Sequence, residues 1–215
     1  GMCISANGTL FKTDSDGIIP GLLARWYAER KQLQAEMKKW IKEMDAARAR
    51  NASKEEMAEI QEKIAFYDKR QLIKKILLNS LYGALLNQYC RYYDQRMGQS
   101  TTLTGRNITR HMMSKINEFI AGEYNHNGPS IVYGDTDSCY FSAYPVLKDH
   151  YEWNKESVAE LYDNIADLVN ESFPEFMRFR FNTSLERGGI IAAGREILAE
   201  RGMYLKKKRY AALCY

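Results

Sequence analysis

From Gly21 to about Arg50 the large apolar residues Leu23, Trp26, Leu33, Met37, Trp40, Ile41 and Met44 recur three, four or seven positions apart. Such spacings share one face of a helix, so this segment is predicted to be a long amphipathic helix. Asn51-Ala52-Ser53 breaks the pattern, and Ser53 followed by Glu56 has the form of a capping box. A second helix is expected to start there, because Met57, Ile60, Ile64 and Tyr67 again step by three and four and the pattern runs on through Ile73, Ile76, Leu77 and Leu81. Two long helices joined by a few residues must lie antiparallel. At ~1.5 Å rise per residue each should reach roughly 45 to 50 Å.

Around this pair the texture is shorter and more varied. Residues 1 to 20 hold two Gly-bearing turns, at Asn7-Gly8 and Asp14-Ser15-Asp16-Gly17, which predict a short hairpin before Pro20. A helix is expected from about Thr102 to Tyr124 on Ile108, Met112, Ile116, Phe119 and Ile120, stopping near Asn125 to Pro129. Ser130 to Phe141 is β-branched and aromatic, interrupted by Gly134-Asp135-Thr136-Asp137, and reads as a β-hairpin with an acidic tip. A helix through Val158, Leu161, Ile165, Leu168 and Val169 should end before Pro174, and Phe176 to Tyr215 reads as strands and turns. The succession is α+β: a long two-helix antiparallel hairpin beside packed helices and an antiparallel sheet. No internal repeat or low-complexity segment occurs.

Composition narrows the class. The chain has 215 residues, 45% of them apolar, enough for one large or two small domains. No apolar run approaches the ~20 residues that span a bilayer, and Gly1-Met2-Cys3 is not a signal peptide, so no membrane or export role is expected. Gly1 before Met2 reads as the remnant of a removed tag, and the chain is expected to begin inside a longer gene. Cys3, Cys90, Cys139 and Cys214 show no paired spacing, which argues against a zinc site or a disulfide framework and for a reducing compartment. The net charge of +4 is too small to imply a nucleic-acid partner. Its distribution is more telling, with Arg70, Lys74 and Lys75 close together and Lys206, Lys207, Lys208 and Arg209 in an unbroken run.

Three places carry chemistry. Asp135 and Asp137, one residue apart on a tight turn, repel each other unless a positive partner is near. Mg²⁺ is one such partner, since it commonly takes one or two carboxylates and completes its shell with water and phosphates; a solvated turn is the other reading. Lys75, Asn79 and Tyr82 or Gly83 fall on one face of the second helix. A cation, an amide, a ring and a bare backbone on one stripe could hold a triphosphate, a sugar and a base, or could simply be a polar edge with Tyr82 in the core and Gly83 at a bend. The run Lys206 to Tyr210 suits a phosphate backbone or is a solvated charge cluster.

Together these strings resemble family B DNA polymerases. Lys75 to Gly83 is similar to the family's KxxxNSLYG motif, Tyr133 to Ser138 to YGDTDS, and Lys207 to Tyr210 to KKRY, all in family order. The stretch from Asn79 to Arg96, with Arg91-Tyr92-Tyr93-Asp94, resembles polymerases of T-even-like bacteriophages. Asp16-Gly17-Ile18-Ile19-Pro20 followed by Arg30-Lys31 looks like the start of the fingers, and Arg195 to Ala199 looks like the strand with the palm's third acidic residue.

The resemblance implies a fingers and partial palm fragment: residues 1–20 as a palm-proximal hairpin, 21–90 as the fingers helical hairpin, and 91–215 as an incomplete palm with an antiparallel β-sheet. It implies DNA-directed DNA synthesis from a deoxynucleoside triphosphate (dNTP) on a primer 3′-hydroxyl with two Mg²⁺ ions. Asp137 would be a metal ligand and catalytic residue, with Asp135 beside it and Glu196 an auxiliary carboxylate. Arg30 and Lys75 would neutralise the triphosphate, and Asn79, Tyr82 and Gly83 would shape the nucleotide pocket. Lys207, Lys208, Arg209 and Tyr210 would hold primer–template DNA. Implied partners in the longer protein are exonuclease and thumb domains and a sliding clamp, and the implied setting is the cytoplasm of a phage-infected bacterial cell.

This sequence departs from the family at Gln34, where a second fingers cation is usual and Lys38 or Lys39 is the nearest substitute. It contains no DxxSLYPS stretch, so the aspartate expected to share the metals with Asp137 is absent from these residues, and no exonuclease-like acidic motif is present. The isolated chain is therefore expected not to polymerise. A nucleotide-sugar glycosyltransferase would also use an Asp-x-Asp pair, and a helical-hairpin interaction module would account for residues 21–90. Neither explains all three strings.

Overall fold

The computed structural model describes residues 1–150 and 152–215. They form two compact units, one built from residues 14–98 and the other from residues 1–13 with 99–215.

The unit of residues 14–98 is dominated by α1 (Ile18–Ala49) and α2 (Lys54–Leu85), packed on each other as the expected antiparallel pair. Helix α1 begins three residues before Gly21, with Gly17 as N-cap and Pro20 in the first turn, where a missing N–H costs nothing because no intrahelical acceptor exists for it. At the start of α2 the Ser53 hydroxyl accepts the Glu56 N–H at 3.1 Å. Only half of the capping box forms, since the Glu56 carboxylate turns to Arg50 instead of reaching back to the Ser53 amide. Arg50 also holds Glu43 at 3.1 Å, so one guanidinium ties the end of α1 to the start of α2. The buried centre of the pair is small: Met44, Ala47 and Ile60, flanked by Trp40, Ala52, Met57 and Ile64. Helix α2 runs unbroken through Gly83 to Leu85.

The second unit opens with the short hairpin of β1 (Met2–Ile4) and β2 (Leu10–Lys12), turned at Asn7-Gly8 as expected. The Ser100 hydroxyl, near the N-terminal end of α3 (Gln95–Ala121), donates to the Asn7 side chain of that turn at 2.9 Å. Helix α3 starts seven residues earlier than its apolar pattern, because Asp94 accepts the Arg96 N–H and supplies a local start before any core residue is reached. It stops at Ala121 rather than Tyr124, where Gly122 takes φ +76, a left-handed step that ends helices. Strands β3 (Ile131–Asp135) and β4 (Ser138–Phe141) form the acidic hairpin, followed by a single helical turn, α4 (Tyr144–Leu147).

Helix α5 (Lys155–Phe181) overturns the expectation of a stop before Pro174. Proline in a helix interior costs about 3 kcal/mol. Here an apolar row continues past it, with Val158, Leu161, Ile165, Val169, Phe173, Met177 and Phe181 all buried. Burying Phe173, Met177 and Phe181 at ~1.5–3 kcal/mol each outweighs the proline. Asn182, at φ +53, caps the end. The main core joins Ile116 and Ile120 of α3 to Leu161, Ile165, Val169 and Phe173 of α5. After α6 (Leu185–Gly188), β5 (Ala199–Lys206) and β6 (Arg209–Cys214) make a third hairpin, so the segment from Phe176 to Tyr215 is partly helical rather than strands and turns throughout. The fold is α+β, and among the described residues the antiparallel strands are arranged as three two-stranded ladders.

Inside this unit His111 is 5% exposed and partnered on both ring nitrogens, with the Tyr124 hydroxyl at 2.8 Å from Nδ1 and the Ser172 hydroxyl at 2.9 Å from Nε2. Ser172 donates its one proton to the Val169 carbonyl at 2.6 Å. It must therefore accept from Nε2–H, which leaves Nδ1 to accept from Tyr124. Burial, and next the positive charge of Lys115, hold the imidazole neutral and push its pKa down to about 4.

Candidate active site

Strands β3 and β4 bring Asp135 opposite Ser138 and leave Thr136-Asp137 as a two-residue turn. Two-residue hairpin turns need a positive φ at their first position, and Thr136 supplies it at φ +56. Thr136 is β-branched, so this conformation is unfavourable for it. Two bonds offset that cost: the Thr109 hydroxyl of α3 reaches the Thr136 carbonyl at 2.9 Å, and the Ser138 hydroxyl donates to the Asp135 carbonyl at 3.1 Å. Asp137 is exposed at the tip and Asp135 is half-buried beneath it.

The basic run lies on the turn of the β5–β6 hairpin, with Lys208 left-handed at φ +63. Its backbone N–H donates to the Tyr133 hydroxyl of β3 at 2.8 Å, and its Nζ stands 3.8 Å from Asp135 Oδ2. The acidic tip and the basic turn, 70 or more positions apart in the chain, are thus joined by two contacts of one lysine. Lys207 and Arg209 flank it with exposed side chains.

Behind these contacts stand four tyrosines. Tyr133 and Tyr140 of the acidic hairpin meet Tyr204 and Tyr210 of the basic one, with ring centroids 5.1–6.0 Å apart. The Tyr140 hydroxyl donates to that of Tyr210 at 2.7 Å. That bond, then burial, then the neighbouring tyrosines and Glu196, push the Tyr140 pKa up to about 12. Gly202 makes room for the cluster, since a Cβ there would lie 2.8 Å from the Tyr204 ring. Tyr140, Tyr204 and Gly202 are the residues the motif reading missed.

Glu196 does not lie on a strand. It sits in the irregular stretch before β5, where Arg195 is drawn away to Asp163 at 2.8 and 3.0 Å. Its negative charge is the last of the causes that raise the Tyr140 pKa.

In the helical unit Arg30 of α1 donates through Nε to the Gln71 side chain of α2 at 3.3 Å. Gln71, Lys75, Asn79 and Tyr82 follow one another at helical spacing, so Arg30 stands at the head of the stripe that Lys75 and Asn79 continue. Lys75, Asn79 and Gly83 are exposed and Tyr82 is half-buried. Lys74, one position away, is instead bound to Glu29 of α1. Nothing lies within 4 Å of where a Gly83 Cβ would be, so the bare backbone there leaves open space.

Among the described residues no group of three or more His, Cys, Asp or Glu could hold a metal ion. The Asp135–Asp137 pair fits the lesser requirement of Mg²⁺, one or two carboxylates with the remaining positions open. Among the described residues no helix is long and apolar enough to cross a membrane.

The sequence model of DNA polymerase family B matches residues 3–215. The chain is 25% identical to the DNA-directed DNA polymerase of Escherichia phage RB69 over 96% of its own length and 28% of the relative's. To the enzyme of the same description from Enterobacteria phage T4 it is 25% identical, over 98% of its length and 29% of the relative's. It is 41% identical to a DNA polymerase of Pyramimonas orientalis virus over 57% of its length and 10% of the relative's. The chain thus spans less than a third of these curated relatives.

Proposed function

The chain belongs to DNA polymerase family B, and on that premise we propose that it supplies the fingers (residues 21–90) and the later palm (residues 91–215, with 1–20 beside it) of a template-directed DNA polymerase. The observation that carries this reading is the joining of the acidic tip to the basic turn through Lys208, with Asp135 at 3.8 Å and Tyr133 at 2.8 Å. A site that acts on the end of a duplex needs carboxylates for metal and cations for phosphate within one small region.

Each side chain has a separate task. Asp137 is the exposed metal ligand. Asp135, facing Lys208, is the supporting carboxylate, and Glu196 adds negative charge on the same side. Two Mg²⁺ ions held there would stabilise the attacking primer oxygen and the departing pyrophosphate. Arg30 and Lys75, at the head of one stripe, neutralise the triphosphate of a dNTP. Asn79, Tyr82 and the open backbone at Gly83 shape the space for sugar and base. Lys207, Lys208, Arg209 and Tyr210 hold the primer–template duplex by its backbone, which gives affinity and register without sequence preference. The longer protein's exonuclease and thumb domains, and a sliding clamp, would act with it in a phage-infected bacterial cell. A glycosyltransferase would use Asp135 and Asp137 but has no use for the basic turn.

No DxxSLYPS aspartate is present to share the metals with Asp137, so the isolated chain binds DNA and does not extend it. The test is primer extension and duplex binding on the same purified, nuclease-free preparation. Expected are no template-dependent synthesis and a duplex affinity that falls steeply with salt, its slope reduced by about one in Lys207→Ala. Synthesis by the chain alone would refute the incompleteness, and salt-independent or absent binding would refute the DNA-holding role.

A further inference from the structure

We propose that Tyr140 is a positioning residue for duplex DNA: by donating its hydroxyl proton to Tyr210 it leaves the Tyr210 hydroxyl as a donor to a backbone phosphate. The inference rests on the reading above for the basic turn. It uses a residue outside the three motifs.

A phenol has one proton and can both donate and accept. At 2.7 Å the two hydroxyls share a single hydrogen bond, with Tyr140 as donor. Tyr210 then accepts at its oxygen, and its own proton has to point elsewhere. Tyr210 is 44% exposed in β6, one residue from the turn that carries the cations, so part of it lies open to a ligand that reaches that turn. The geometry is held from behind. Tyr140 packs on Tyr204 at 5.4 Å and on Tyr133 at 6.0 Å, while Gly202 clears the space that the Tyr204 ring occupies. Tyr133 meanwhile accepts the Lys208 amide. The acidic hairpin therefore fixes two polar groups of the basic one: Tyr133 holds the backbone of the basic turn and Tyr140 the hydroxyl of Tyr210.

Polarity, not charge, is what Tyr140 contributes, and this separates it from the lysines. Tyr140→Phe keeps the ring and removes the donor. Duplex affinity should fall about threefold to tenfold, with the slope of affinity against salt unchanged, because no phosphate-neutralising cation is lost. Tyr210→Phe should fall by a similar factor. The double variant should be no weaker than Tyr210→Phe alone, since Tyr140 acts only through that hydroxyl. Gly202→Val, which drives a side chain into the Tyr204 ring, should instead move the basic turn and lower the slope.

The measurement is fluorescence anisotropy of a labelled primer–template duplex across a salt series with the full chain and these four variants, with thermal unfolding to show that each is folded. If wild type binds and Tyr140→Phe matches it, or if the two Phe substitutions add, the assignment of Tyr140 is overturned while the basic turn keeps its role. A reduced slope in Tyr140→Phe would also overturn it, by making Tyr140 a prop for the turn. If wild type itself has no duplex affinity, the proposed function fails and Tyr140's role fails with it.

Discussion

Helix α5 buries its apolar row from Val158 to Phe181, whereas α2, which is longer and as regularly spaced, buries only Ile60 and Leu85 and leaves Leu72, Ile73, Ile76 and Leu77 exposed. The spacing of apolar residues is the same kind of signal in both. What differs is the number of elements that meet them. Helix α5 has α3 along one side and the segment around Ile191 and Ala193 along another, while α2 packs chiefly on α1, over a small cluster around Met44 and Ile60. Periodicity therefore shows that a helix has an apolar side and says nothing of how much of that side is covered. On the proposed reading of residues 21–90 as fingers, a helical hairpin held mainly near its turn suits a part that moves against a nucleotide, and a helix locked along its length suits a part that stays still.

The comparison can be broken by mutation. Phe173→Ala, at 1% exposed on α5, should cost about 3–5 kcal/mol, measured as a lower urea midpoint. A cost below about 1 kcal/mol would mean that α5 is not the locked element. A second effect sharpens the contrast, because all three histidines lie outside residues 14–98. His111 is neutral in the fold with its pKa near 4, below the unfolded value of ~6.5. Its contribution is therefore present above about pH 6.5 and is lost as pH falls toward about 4. Between about pH 7 and about pH 5 this should remove roughly 2 kcal/mol from the unit of residues 1–13 and 99–215, read by urea unfolding. Lys115 and Glu118 are the charged groups that act on the ring. His111→Phe should flatten that slope, and an unchanged pH dependence in the variant would remove His111 as its source. The smallest effect is the complement of the first: Ile76→Ala, at a position 55% exposed, should change stability by no more than about 0.5 kcal/mol. A loss above about 2 kcal/mol would show that the exposed row of α2 is covered in solution.

Local signals were the legible ones. Helix periodicity, the Ser53 cap, the Asn7-Gly8 turn and the acidic hairpin depend on neighbours a few residues apart, and all were readable from sequence. Pro174 was misread because a local rule was applied where burial on both sides of the proline decides. The capping box was half right because Arg50, six residues before Glu56, competes for its carboxylate. The early start of α3 at Gln95 precedes its apolar pattern, since a polar side chain and not the core begins it. Of the candidate site, the motifs marked Asp135, Asp137 and the basic run, but the four-tyrosine contact that joins them pairs positions up to 77 residues apart. No pattern along the chain encodes such a meeting, and Glu196 was placed on a strand that begins only three residues later.

Thr136 remains the odd residue of the acidic tip. Glycine or asparagine would adopt its backbone angle at less cost. With threonine, the turn has few alternative shapes once the Thr109 hydroxyl has hold of its carbonyl. If the tip holds a cation as proposed, the backbone ordering of this turn has already been lost at folding and is not lost again on binding. As a proposed metal site the tip would be a cast made before the object it receives, and Thr136→Gly should show this by faster amide exchange at Asp137 with little change elsewhere.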